Sequence, residues 1–177
     1  MNKAAFLDRD GVINIEKNYL FRIEDFELVP GVINLLRTLQ NNGFLLIIIT
    51  NQSGIARGYY SEEDYQKLTD WMIGMLSDNG ISITATYYCP HHPEAIVEKY
   101  KKKCDCRKPG TALFLQAIRE YNIDLDNSIV IGDNLRDCEI CKTSNCKGFL
   151  ISNQYSIADV NKNITIVNSI SDIFAYL

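Results

Sequence analysis

Short apolar runs alternate with longer stretches of helical period along the chain, and Gly, Pro, Asn and Ser punctuate the joins. The runs predict strands at Lys3–Leu7, Phe44–Ile49, Thr84–Tyr88, Ser128–Ile131 and Gly148–Ile151, with a further one at Ile164–Val167. Leu45 to Ile49 contains no polar residue, as expected of a strand covered on both faces in a parallel sheet. Between the runs, Val32, Leu35, Leu36 and Leu39 form one stripe of a helix over Val32–Asn41, with Pro30 ahead of it and Gly43 behind. Ser61, followed by Glu63 and Asp64, starts a second helix that runs to Asp78, and Thr111–Tyr121 makes a third. The alternation predicts an α/β fold: an open, mainly parallel, Rossmann-like sheet with helices on both faces.

Length and composition narrow this further. With 177 residues and 46% hydrophobic composition, the chain can bury one core, and residues 1–177 are expected to form a single domain. A net charge of -4 and a pI near 5.2 give no broad basic surface, so nucleic acid is not an expected partner. No apolar run approaches the roughly 18 residues of a membrane span, and Asp8, Arg9 and Asp10 stand where a signal peptide would be apolar. The expectation is a soluble, cytoplasmic monomer with no membrane partner. In that setting the six cysteines read as metal ligands, reduced core residues or redox groups rather than structural disulfides.

In a parallel sheet, ligands bind beyond the carboxyl ends of the strands, so polar residues that end apolar strands are the candidate chemistry. Three strands end this way: Phe6-Leu7-Asp8-Arg9-Asp10-Gly11, Ile48-Ile49-Thr50-Asn51-Gln52-Ser53-Gly54, and Ile131-Gly132-Asp133-Asn134-Leu135-Arg136-Asp137. Asp8 and Asp10 are two apart and would project to the same side if strand geometry persisted through them. Neighbouring carboxylates repel, and a hard divalent ion such as Mg²⁺ relieves the repulsion, with Asp133 as a further ligand from a neighbouring strand.

A second cluster lies in the irregular segment Cys89 to Lys108. Cys89-Pro90-His91-His92-Pro93 followed by Cys104-Asp105-Cys106 gives three thiols and an imidazole, the donor set of a closed, structural Zn²⁺ site over residues 89–106. Spacing alone permits either His91 or His92 as the fourth ligand. Lys99, Lys101, Lys102 and Lys103 in this loop read as a solvated face. Cys138 and Cys141, i and i+3 on the helix expected after Asp133, read as small buried side chains against the sheet, and Cys146 carries no clear role.

The ordered set Asp8-x-Asp10-Gly11-Val12, Thr50-Asn51, Lys108-Pro109 and Gly132-Asp133-x-x-x-Asp137 resembles the haloacid dehalogenase superfamily of phosphatases. The resemblance implies that Asp8 is the nucleophile and a Mg²⁺ ligand, and that Asp10 is the general acid and base, with its main-chain carbonyl on the metal. It further implies Thr50 and Lys108 as holders of the phosphoryl group, Asp133 as a Mg²⁺ ligand and Asp137 as the residue that orients Lys108 or metal-bound water. Asp at position 10 separates phosphatases and mutases from dehalogenases, and the short stretches after Asp10 and Thr50 leave no room for the cap domain a mutase needs.

Within the superfamily, the segments Leu7 to Asn14, Thr50 to Gly58, Tyr87 to Pro93 and Cys104 to Pro109 resemble the zinc-loop branch that acts on heptose 1,7-bisphosphates, more than the histidinol-phosphate phosphatases beside it. That implies His91 as the zinc ligand, and Glu16, Lys17, Asn18, Tyr19, Asn51, Gln52, Ser53 and Arg107 around a phosphorylated sugar, with Arg107 on its second phosphate. The product would be a heptose 1-phosphate for nucleotide-activated heptose, with the anomer and the destination of the product open. A non-catalytic zinc-stabilised binding module is the competing class. Asn145, where relatives carry a glycine-rich helix exit, is expected in the left-handed conformation.

Overall fold

The computed structural model describes residues 1–152 and 154–177. Its centre is a six-stranded sheet of β1 (Lys3–Leu7), β2 (Phe44–Asn51), β3 (Ile83–Cys89), β4 (Ile129–Gly132), β5 (Lys147–Ile151) and β6 (Ile164–Val167). The strands lie in the order β3-β2-β1-β4-β5-β6, and every pair is parallel. Chain order reverses between β1 and β4, which opens a crevice at their carboxyl ends where ligands of such sheets sit.

Period-two alternation assigns each strand residue to one of two buried faces. Ala5, Leu7, Leu46, Ile48, Ile129 and Ile131 face one core, covered by α1 (Val32–Asn41), α3 (Glu62–Asp78) and α5 (Ile170–Ile173). Ala4, Phe6, Ile47, Ile49, Val130 and Leu150 face the other, covered by Phe114 and Ala117 of α4 (Ala112–Glu120) and by the turn Leu135–Lys142. Each fully buried Leu or Ile contributes roughly 1.5–3 kcal/mol, so a one-residue slip would forfeit both faces. Helix α3 starts on a capping box, in which Ser61 Oγ accepts from Asp64 N at 3.1 Å and Ser61 N donates to Asp64 Oδ2 at 2.9 Å.

Three local features depart from the sequence expectation. The segment Ser53–Ala56 is a one-turn helix, α2, too short to announce itself by period. Residues Leu135–Lys142 form a 3-10 helix rather than an α-helix, capped by the Asn134 side chain on Arg136 N. Cys138 and Cys141 are nonetheless fully buried, and a Cβ on Gly148 would sit 3.3 Å and 3.2 Å from their sulfurs. Asn145 is not left-handed; its main-chain N–H and its amide both donate to Asp126 instead, at 2.9 Å and 3.2 Å.

The irregular loop between β3 and α4 has its own apolar footing. Ala95 and Tyr100 pack on Ile55, Ala56, Tyr60 and Tyr65, and Ile96 N and Val97 N both donate to Ala56 O at 3.0 Å. This small core fastens the loop over the carboxyl edge of β2. Among the described residues no helix is long and apolar enough to cross a membrane.

Candidate functional site

Asp8 is the first residue beyond β1, and Lys108 reaches it from the loop before α4. Lys108 Nζ is 2.9 Å from Asp8 Oδ1 and 2.8 Å from Asp137 Oδ1, and donates to Ile49 O at 2.7 Å. Asp133 follows β4, and one oxygen each of Asp8, Asp133 and Asp137 lie within 4.8 Å of one another. Glycine admits this crowding. Gly11 has φ +82°, and a Cβ there would fall 2.2 Å from Asp133 Oδ2. Thr50, the penultimate residue of β2, is fully buried, with its hydroxyl oxygen accepting from Gln52 Nε2 at 2.9 Å.

The electrostatics of this cluster ask for a cation. Burial pushes Asp8 up to about 7, with Lys108 opposing and Asp137, Asp10 and Asp133 adding to the rise. Asp133 is pushed up to about 6, again by burial first and then by Asp137, against the pull of Arg136 and Lys108. Burial alone would lower Lys108, but Asp8 and Asp137 outweigh it and hold the ammonium charged. One ammonium among three carboxylates leaves negative charge uncompensated, and oxygen donors at this spacing suit a hard divalent ion.

Asp10 does not share that cluster. β1 ends at Leu7 and the chain turns at Gly11, so the strand geometry that would align Asp10 with Asp8 does not persist through them. Its carboxylate takes a salt bridge from Arg9 Nη2 at 2.9 Å and hydrogen bonds from Asn14 Nδ2 and Gln52 Nε2, each at 3.0 Å. The carboxylate of Asp10 is therefore a wall of the adjacent cleft rather than a member of the acidic triplet.

That cleft, of about 250 Å³, collects most of the residues expected around a substrate: Glu16, Asn18, Tyr19, Asn51, Gln52, Ser53 and Arg107. Two expectations change. Lys17 turns away to pair with Glu27 Oε2 at 3.1 Å, because the backbone twists at Asn18 and Tyr19, with φ of +53° and +69°. Asn51 lines the cleft, but its amide is committed to the Lys108 backbone, accepting from Lys108 N at 3.0 Å and donating to Lys108 O at 3.1 Å. Arg57, Tyr60, His92 and Arg136 also line the cleft, and none of them was expected there from sequence. Only the fold brings them there. Arg57 sat in plain view in the run Gly54 to Gly58, and Arg136 three residues after Asp133.

The second cluster assembles beside this cleft. Cys89, His91, Cys104 and Cys106 present ligand atoms within 4.8 Å of one another. Cys106 Sγ is 3.1 Å from Cys104 Sγ, 3.2 Å from Cys89 Sγ and 3.3 Å from His91 Nδ1. His92 is turned elsewhere, its Nδ1 accepting from Glu94 N at 3.1 Å. Geometry thus separates two histidines that spacing could not.

Comparison with known proteins agrees with this architecture. Residues 3–149 match the family model described as polynucleotide kinase 3 phosphatase. The chain is 44% identical over 179 aligned residues, 99% of its length and 98% of the relative's, to D-glycero-beta-D-manno-heptose-1,7-bisphosphate 7-phosphatase of Haemophilus ducreyi. It is 43% identical, over 95% of its length and 92% of the relative's, to the alpha-anomer 7-phosphatase of Photorhabdus laumondii. Among solved structures, a HAD-like phosphatase from Mesorhizobium loti superposes with a TM-score of 0.87 at 25% identity, over 98% of this chain and 83% of that one. The D,D-heptose 1,7-bisphosphate phosphatase of B. bronchiseptica, complexed with magnesium and phosphate, superposes with a TM-score of 0.82 at 25% identity over 99% of each chain. With the Asp8, Lys108, Asp133 and Asp137 constellation at the switch point of this sheet, the chain belongs to the haloacid dehalogenase-type phosphatases, in the family of the D-glycero-D-manno-heptose-1,7-bisphosphate 7-phosphatases.

Proposed function

We propose that this phosphatase removes the C7 phosphate of a D-glycero-D-manno-heptose 1,7-bisphosphate through a covalent phosphate on Asp8, leaving heptose 1-phosphate. The observation that carries the reading is the Asp8 carboxylate beside Lys108 and Asp133, two residues from Asp10, which lines a cleft rich in arginine. An Asp8 oxygen attacks phosphorus as the bond to the C7 oxygen breaks, and Asp10 gives its proton to the departing alkoxide. Asp10 then takes a proton from water, whose oxygen attacks phosphorus and frees Asp8. Lys108 and the Thr50 hydroxyl hold the phosphoryl oxygens, and Asp137 keeps Lys108 charged and placed.

The donor set fits Mg²⁺: Asp8, Asp133 and the main-chain carbonyl of Asp10 would hold it, and the solved B. bronchiseptica relative is complexed with magnesium. When bound it neutralises charge at the transferring group. Cys89, His91, Cys104 and Cys106 fit Zn²⁺, whose bonds of roughly 2.0–2.3 Å one tetrahedral ion could make to all four atoms. Its role is structural, holding the loop that presents Arg107 and Lys108. In this reading the working unit is a monomer acting on a small sugar phosphate, without nucleic acid or membrane.

The test is kcat/KM for both anomers of heptose 1,7-bisphosphate against histidinol phosphate, fructose 1,6-bisphosphate and a 3'-phosphorylated oligonucleotide. A heptose bisphosphate is expected to lead by at least about tenfold. Preference for histidinol phosphate or the oligonucleotide overturns the substrate while leaving the phosphatase in place.

A further inference from the structure

Three guanidinium groups enter the cleft from separate parts of the chain: Arg57 after α2, Arg107 in the Cys/His loop and Arg136 in the turn after β4. Among the described residues none of the three takes part in an ion pair. Arg57 carries a buried Nε with no hydrogen-bond partner, and its guanidinium lies 6.0 Å from the Tyr19 ring centroid.

Gathering like charges in a partly buried cleft is unfavourable in the free protein, more conspicuously so in a chain whose net charge is -4. The acids of the same cleft do not resolve it, because Asp10 is bound by Arg9 and Glu16 accepts from its own loop at Asn18 N. A dianion would resolve it. Arginine forks match phosphate oxygens two at a time, which a lysine ammonium cannot do.

We propose that Arg57 and Arg136 join Arg107 as a three-guanidinium subsite for the non-reacting phosphate, and that this pair sets the preference for doubly over singly phosphorylated sugars. This rests on the bisphosphate reading above. Arg107 alone would give one fork. With Arg57 and Arg136 lining the same cleft as Arg107, the far phosphate is held by guanidinium groups from three separate segments, and its position sets where the reacting phosphate meets Asp8.

The experiment measures kcat/KM for heptose 1,7-bisphosphate and for heptose 7-phosphate, which lacks the far phosphate, on the parent, Arg57→Gln, Arg136→Gln and the double variant. Each single change should cut the bisphosphate value about 10–100-fold, the loss of one charged hydrogen-bonding partner. The monophosphate value should fall at least about tenfold less, so the preference ratio collapses in the double variant. Arg57→Lys and Arg136→Lys should recover part of the ratio, since charge is kept and the fork is lost, and thermal melts check that all variants fold. An unchanged ratio in the double variant, or equal losses on both substrates, overturns the subsite. A parent with no preference for the bisphosphate overturns the substrate reading instead.

Discussion

The Gln52 amide donates to Asp10 Oδ2 at 3.0 Å, so a residue of the candidate cleft steadies the carboxylate proposed to exchange a proton. Gln52 is itself fixed, its Oε1 accepting from Tyr60 Oη at 2.6 Å. Room for that ring comes from Gly54, where a Cβ would lie 2.1 Å from the Tyr60 ring. If Asp10 works as proposed, Asp10→Asn should cut kcat by about 100–10,000-fold with the Mg²⁺ dependence unmoved, because only its main-chain carbonyl would hold the metal. Tyr60→Phe, which only loosens the support, should cost about tenfold or less in kcat. A changed Mg²⁺ requirement in Asp10→Asn, at normal maximal rate, would make its carboxylate a metal ligand.

Gly11 is the position where the smallest substitution should report on the metal. Alanine there meets both a left-handed backbone, at about 1–2 kcal/mol, and Asp133 Oδ2 at 2.2 Å. Either Asp133 moves or the turn does. Gly11→Ala is expected to raise the Mg²⁺ concentration for half-maximal activity by at least about tenfold. A normal Mg²⁺ titration on a folded variant would mean that Asp133 is not held against Gly11 for coordination.

For the loop, one tightly held zinc per chain is expected, lost in Cys106→Ser and in His91→Ala but kept in His92→Ala. Metal analysis after gel filtration decides this. Zinc lost from His92→Ala and kept in His91→Ala would reverse the assignment made from the His91 Nδ1 to Cys106 Sγ distance of 3.3 Å.

Much of the fold was legible because its signals are local. The stripe of Val32, Leu35, Leu36 and Leu39 fixes α1 at the bounds its period predicts, and the apolar runs place β1 and β6 likewise. Asp8 and Asp133 could be singled out before any coordinates because each follows a strand of the open sheet, whereas Lys108 and Asp137 joined them only through the resemblance to a phosphatase superfamily. What was not legible depends on tertiary placement. The turn at Gly11 sends Asp10 to Arg9, two left-handed residues send Lys17 to Glu27, and the packing of α2 against the loop delivers Arg57 to the cleft. None of these has a periodic trace in the sequence.

Asp8 should be a residue whose charge serves catalysis at the expense of stability. A carboxyl whose native pKa stands above its unfolded value of about 3.9 contributes stability that is fully present below that value and is lost as pH rises through the native one. For Asp8 and Asp133, pushed up to about 7 and about 6, that window runs from about pH 4 to pH 7. Magnesium-free protein should thus lose thermal stability across it, and added Mg²⁺ should raise the melting temperature more at pH 7.5 than at pH 5.5, where protons compete for the same oxygens. Asp8→Asn removes the buried charge while Lys108 keeps Asp137 at 2.8 Å. In magnesium-free buffer at pH 7.5 the variant should melt no lower than the parent, yet with saturating Mg²⁺ it should release essentially no phosphate, because an amide cannot form the covalent intermediate. A variant that melts several degrees lower would show that the Asp8 to Lys108 pair outweighs the burial of its charge. Turnover within about tenfold of the parent would remove the covalent route altogether.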